Sequence, residues 1–125
     1  IIFKGWVSKH DMIGIMDSCD VGIVPLKSRF DFKLALVNKA VEYLSYGKPI
    51  ISSLEGDLKE FIKENQVGLS YSNSDELKEC ILQISKDKQY QNELSQNAIS
   101  VFKENFDFER NFLEIENHFK NLISK

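Results

Sequence analysis

At 125 residues the chain has room for one domain with a hydrophobic core of its own. A composition of 42% hydrophobic and 28% charged residues is ordinary for a globular protein, and a net charge of −3 does not suggest a general nucleic-acid-binding role, though it leaves room for a local basic patch. Cys19 and Cys80 match no metal or redox spacing, no apolar run reaches the roughly 18 residues of a membrane span, and no signal peptide is visible.

Ile1 to Lys4 reads as a short strand, so the chain is expected to be a fragment that begins inside a strand. Ser8 and Asp11 have the Ser-x-x-acid form of a helix N-cap. Met12, Ile15 and Met16 then recur at helical spacing as far as Cys19. Both cysteines fall in helical patterns and are expected to be buried free thiols. Val21 to Pro25 is a continuous apolar run that proline stops, as suits a strand buried on both faces of a parallel sheet. Leu26 to Val37 mixes Lys27, Arg29, Asp31 and Lys33 with apolar residues and reads as a partly ordered loop. Asn38 to Tyr46 is a helix with Asn38 as its cap and Gly47 as its stop. Ile50 to Ser52 is a second buried strand, Gly56 to Asn65 a helix, and Gly68 to Tyr71 a further strand. Ser74 caps the next helix, and two more cover about Gln89 to Glu104 and Asp107 to Ile123. In the last, Phe108, Phe112, Ile115, Phe119, Leu122 and Ile123 form an amphipathic stripe.

This alternation predicts an α/β domain, a Rossmann-like parallel sheet flanked by helices, with residues 1–88 as the core and 89–125 as a helical tail of the same domain. Ligands of such a sheet bind beyond the carboxyl ends of its strands. That locates the chemistry in the segments after Lys4, Pro25 and Ser52. The helix starting at Asn38 presents free N–H groups and a partial positive charge, which suit a diphosphate, and Lys39 adds a cation. Glu42 lies one turn in, about 6 Å along the axis, where a carboxylate can accept two hydrogen bonds from a vicinal diol such as a ribose. The same residues also suit a plain solvated helix, since a Glu in the first half of a helix is favourable through the dipole alone. Lys27, Arg29 and Lys33 are available cations, and equally a solvated charged loop.

The segment NKAVEYLSYGKPII, residues 38–51, resembles the signature P-x-K-x-x-E-Y-x-A-x-G-K-P-V-I of the glycosyl transferases group 1 family. Three other stretches are similar to that family in the same order: FKGWVSKHDMIGIMDSCDVGIVPLK from Phe3, EGDLKEFIKENQVGLSYSNSDELKECILQI from Glu55, and FKENFDFERNF from Phe102. The resemblance implies the donor-binding, C-terminal half of a retaining GT-B glycosyltransferase, cut short and inactive alone. Glu42 would hold the ribose of a nucleotide sugar, the backbone of Asn38 and Lys39 the diphosphate, and Trp6 and Val7 would line the base pocket, with Lys33 a nearby cation. The implied substrate is a nucleotide-sugar donor, most naturally a UDP-sugar, with no cofactor and no metal. The acceptor, a glycan or lipid-linked molecule of cell-surface polysaccharide synthesis, would be held by an absent N-terminal domain. Cytoplasmic location with peripheral membrane association of the whole protein is implied as well. Leu34 stands where many members carry an acid that contacts the donor sugar, with Asp31 nearby as a substitute, and Lys33 to Val37 replaces their Gly-rich loop. These departures leave room for two other functions, a GT-B-fold sugar-nucleotide epimerase and a non-catalytic module that binds a nucleotide or a partner.

Overall fold

A computed structural model describes residues 1–27 and 29–123. Three short parallel strands form its centre: β1 (Gly22–Val24), β2 (Ile50–Ser52) and β3 (Gly68–Ser70), in that spatial order. Gly22 pairs with Ile50 and Ile50 with Gly68, so the strands are in step across the sheet. Among the described residues seven helices surround or extend from it: α1 (Lys9–Ser18), α2 (Phe30–Lys33), α3 (Asn38–Ser45), α4 (Asp57–Asn65), α5 (Ser74–Lys86), α6 (Lys88–Asn105) and α7 (Phe108–Ile123). The expected α/β architecture, a parallel sheet flanked by helices, is the one found.

Strand geometry sends successive side chains to opposite faces. Ile50 therefore joins a core with Ala40 and Leu44 of α3, Leu58 and Ile62 of α4, and Val24, Leu54 and Val67. Its neighbour Ile51 joins a second core with Cys80 and Ile84 of α5. Both isoleucines are fully buried. Helix α6 belongs to both layers, with Leu94 in the second core and Ala98 and Val101 in the first.

The structure corrects five local expectations. Strand β1 is buried on one face only, since Val24 is buried while Ile23, on the other face, is 38% exposed with nothing among the described residues packed over it to bury it. Residues 1–4 form no strand, because no neighbouring strand supplies hydrogen bonds to their backbone; Ile1, Ile2 and Phe3 are exposed. Cys19 is exposed while Cys80 is buried. Cys19 is the C-cap of α1, a helix that buries only Met16. The Cys80 thiol pKa is raised, chiefly by burial. The N-cap of α3 is Val37, in extended conformation, and Asn38 is the first helical residue. The N-cap of α5 is Asn73 rather than Ser74, since the Asn73 side-chain Oδ1 accepts from the N–H groups of both Asp75 and Glu76 at 3.0 Å. The Ser8 cap holds, with Oγ accepting from the Asp11 N–H at 3.2 Å. In the loop between β1 and α3 the partial order is α2, one turn long.

Candidate functional site at the carboxyl edge of the sheet

The strands end at Val24, Ser52 and Ser70, and the segments leaving β1 and β2 are tied together where they diverge. The Ser53 N–H donates to Val24 O at 3.3 Å, and the Ser53 hydroxyl donates to Leu26 O at 2.8 Å. The buried Ser52 hydroxyl accepts from the Leu54 N–H at 3.1 Å. Two serines thus satisfy backbone groups that the sheet ladder no longer reaches. Gly56 completes the turn with φ +93°, and a Cβ there would lie 2.2 Å from the carbonyl oxygen of Lys33. The absent side chain lets the end of α2 rest against the start of α4.

Helix α3 begins at this edge. Val37 O accepts from the Ala40 N–H at 2.9 Å and from the Val41 N–H at 3.4 Å. The N–H groups of Asn38 and Lys39 precede these and by helix geometry have no carbonyl within the helix to meet. Lys39 Nζ donates to Glu42 Oε2 at 2.6 Å. The Lys39 side chain is 61% exposed and that of Glu42 28% exposed, so the pair lies at the surface with the carboxylate partly sheltered. The hydrogen bond from Lys39 to Glu42 raises the Lys39 pKa, and partial burial opposes that rise.

Behind this pair the helix is anchored. Ala40 and Leu44 are buried, and the Tyr43 hydroxyl donates to Ile23 O at 3.4 Å. Burial raises the Tyr43 pKa, so the hydroxyl stays protonated as a donor near neutrality. The helix therefore presents one polar turn, residues 38–42, on a fixed base.

The other expected site residues belong to other elements. Lys33 closes α2 with its side chain exposed and its carbonyl against Gly56. Trp6 is fully exposed and shares a shallow hollow with Val7, His10, Asp11 and Ile15 of the α1 region. No residue of α3 lines that hollow. Leu34, at the position of the usual acid, is 67% exposed. The side chain of Asp31 lies outside the described residues. Ser52, Ser53 and Gly56 shape the edge and were not singled out as positioning residues from sequence. Their signal was a Ser-Ser pair at a strand end and a glycine ahead of a helix.

Among the described residues no cluster of His, Cys, Asp and Glu could hold a metal ion, and no helix is long and apolar enough to cross a membrane. Two other cavities lie off this edge: about 470 Å³ beside β3, between α4 and α6, and about 270 Å³ beside β1, rimmed by Asp20, Lys88 and Gln91.

Compared with known proteins, the chain matches neither a curated protein nor a solved structure. A family model described as glycosyl transferases group 1 matches residues 1–87, which include the three strands, the whole carboxyl edge and α3. On that match over more than half its length, the chain belongs to the glycosyl transferases group 1 family.

Proposed function

We propose that the chain is the donor-binding part of a retaining GT-B glycosyltransferase that takes a UDP-sugar and serves cell-surface polysaccharide synthesis at the cytoplasmic face of the membrane. The acceptor is a glycan or lipid-linked molecule held by another part of the enzyme. In this scheme the N–H groups of Asn38 and Lys39 hold the diphosphate, and the Lys39 ammonium turns from Glu42 to a phosphate oxygen when the donor arrives. The Glu42 carboxylate, so released, accepts the two ribose hydroxyls. Lys33 supplies a further cation, and Trp6 and Val7 wall the base. As the glycosidic bond breaks, charge grows on the departing diphosphate, and fixed donors aimed at that charge lower the barrier.

The observation that carries this reading is the Lys39–Glu42 pair on the first turn of α3, a helix that starts at the carboxyl edge of a parallel sheet. The test is UDP titration followed by backbone NMR shifts, with Glu42→Ala alongside. Shifts are expected at residues 38–43 and around Trp6, with clear weakening in the variant. A folded protein with no localised shifts at millimolar UDP would overturn the assignment.

A further inference from the structure

Strand β3 has β2 on one side and no strand on the other among the described residues. In a parallel ladder alternate residues turn their backbone groups to opposite sides. Val67 O accepts from the Ile50 N–H at 2.9 Å, and the Tyr71 N–H donates to Ser52 O at 3.0 Å, so Val67 and Tyr71 turn toward β2. With Gly68 paired to Ile50 and Ser70 to Ser52, the N–H and C=O of Gly68 and the N–H of Ser70 therefore face the open side. Ser70 O accepts from the Cys80 thiol at 3.7 Å. The strand itself, Gly68-Leu69-Ser70, carries neither charge nor proline, two features that commonly keep an edge from pairing.

This open edge floors the cavity of about 470 Å³ between α4 and α6. The two walls differ in chemistry. On the α4 side stand Lys59 and Lys63. Lys59 is held by Glu55 at 2.9 Å, whereas Lys63 is exposed and without a partner among the described residues. On the α6 side Tyr90 packs with Leu69 on the core around Ile51, and Glu93 accepts from Gln89 at 3.1 Å. The charge left uncompensated in the groove is thus the Lys63 ammonium. A floor of unpaired strand backbone is completed by another extended backbone, whose side chains alternate between the two walls. Those turned to α4 meet a cation, and those turned to α6 meet an aromatic ring.

We propose that the β3 edge is a peptide-docking groove that takes an extended acidic segment of a partner protein as a fourth strand. Its backbone pairs with Gly68 and Ser70, a carboxylate meets Lys63, and an apolar side chain lies on Tyr90. The groove shares no residue with the polar turn of α3, so the assignment does not depend on the donor reading.

The test is titration of the chain with the end-blocked hexapeptide Val-Glu-Val-Glu-Val-Glu, followed by backbone NMR. Binding at millimolar peptide or below is expected, with the Gly68 and Ser70 amide signals moving and their hydrogen exchange slowing. The counterpart Val-Lys-Val-Lys-Val-Lys should bind about tenfold more weakly, because it meets Lys63 with like charge. A fully N-methylated Val-Glu peptide, which keeps its carboxylates but donates nothing to the ladder, should also lose about tenfold or more. Lys63→Glu, a change at an exposed position, should reverse the preference between the acidic and the basic peptide. Four results would each overturn the proposal: no localised shifts at millimolar peptide, equal binding of the basic or the N-methylated peptide, an unaltered preference in Lys63→Glu, or the same shifts at Gly68 and Ser70 with inorganic phosphate alone. UDP shifts at α3 are read separately, so failure of one assignment leaves the other standing.

Discussion

The ring of Tyr43 lies on Gly22, so close that a Cβ at Gly22 would fall 2.2 Å from two ring carbons. This contact seats α3 on β1, and the polar turn of α3 depends on that seat for its position. Gly22→Ala should therefore destabilise the fold by about 1–3 kcal/mol, more than the few tenths that alanine contributes through the unfolded chain. Urea denaturation measures the loss. In a Tyr43→Ala background the penalty should shrink or change sign, and an unchanged penalty there would mean that the ring is not the obstacle.

The Lys39–Glu42 pair predicts a split between two ligands. Glu42→Gln should weaken UDP and uridine alike by about 1.5–3 kcal/mol, the usual worth of a hydrogen bond to a charged group. Lys39→Met should weaken UDP and leave uridine unchanged, since only UDP carries phosphates for the ammonium. Parallel titrations of the two ligands would show it, and an equal effect of Lys39→Met on both would remove the phosphate role.

Gly56 sits at φ +93° and ψ −143°, a region that residues with a Cβ scarcely visit. Its would-be Cβ meets a backbone carbonyl rather than a side chain that could rotate away. Gly56→Ala should cost about 1–3 kcal/mol in strain and should move the NMR signals of Lys33 to Val37. Thermal denaturation together with one such spectrum checks both halves. A variant as stable as the parent with the Lys33–Val37 signals in place would show that the turn tolerates a side chain.

Asp20 accepts a hydrogen bond from Gln91 at 2.8 Å, and Lys88 lies 3.7 Å away. The hydrogen bond from Gln91 and the nearby Lys88 charge hold its carboxyl below the usual value of 3.8. A depressed carboxyl contributes stability above its unfolded value, and that contribution fades as pH falls through the folded value. Asp20→Asn should thus lower stability near neutrality and match the parent at strongly acid pH. Because the pair is largely exposed, the difference should stay under about 1 kcal/mol. Denaturation curves at a series of pH values check both sign and size.

β1 and β2 were legible because they are short apolar runs between turn residues, but only β2 is buried on both faces, the condition that such a run suggests. Apart from α2, which was read as part of a loop, helix boundaries were legible to within a residue, and the misses at their caps have a common cause. Asn73 and Ser74 can each cap, as can Val37 and Asn38 in turn open a helix, and only the path of the backbone chooses between neighbours. The strand expected at residues 1–4 failed for a different reason: an apolar run becomes a strand only beside another strand. Periodicity located Cys19 at the end of a helix, but its exposure depends on what α1 packs against, which lies outside any local pattern. Lys39 and Glu42 were legible as a pair because three residues of helix bring them together. The relation of Trp6 and Lys33 to that pair is set by how separate elements assemble, and spacing along the chain carries no trace of it.

Helix α6 begins at Lys88, just past the residues that the family model matches, yet its Leu94 and Ala98 sit in opposite layers of the domain. One helix therefore stitches the two layers to each other. Opening either layer withdraws a wall from its neighbour, so the two layers are expected to melt together with α6. A chain stopped at residue 87 would keep every residue of the polar turn of α3 and lose the brace that holds the floor beneath it.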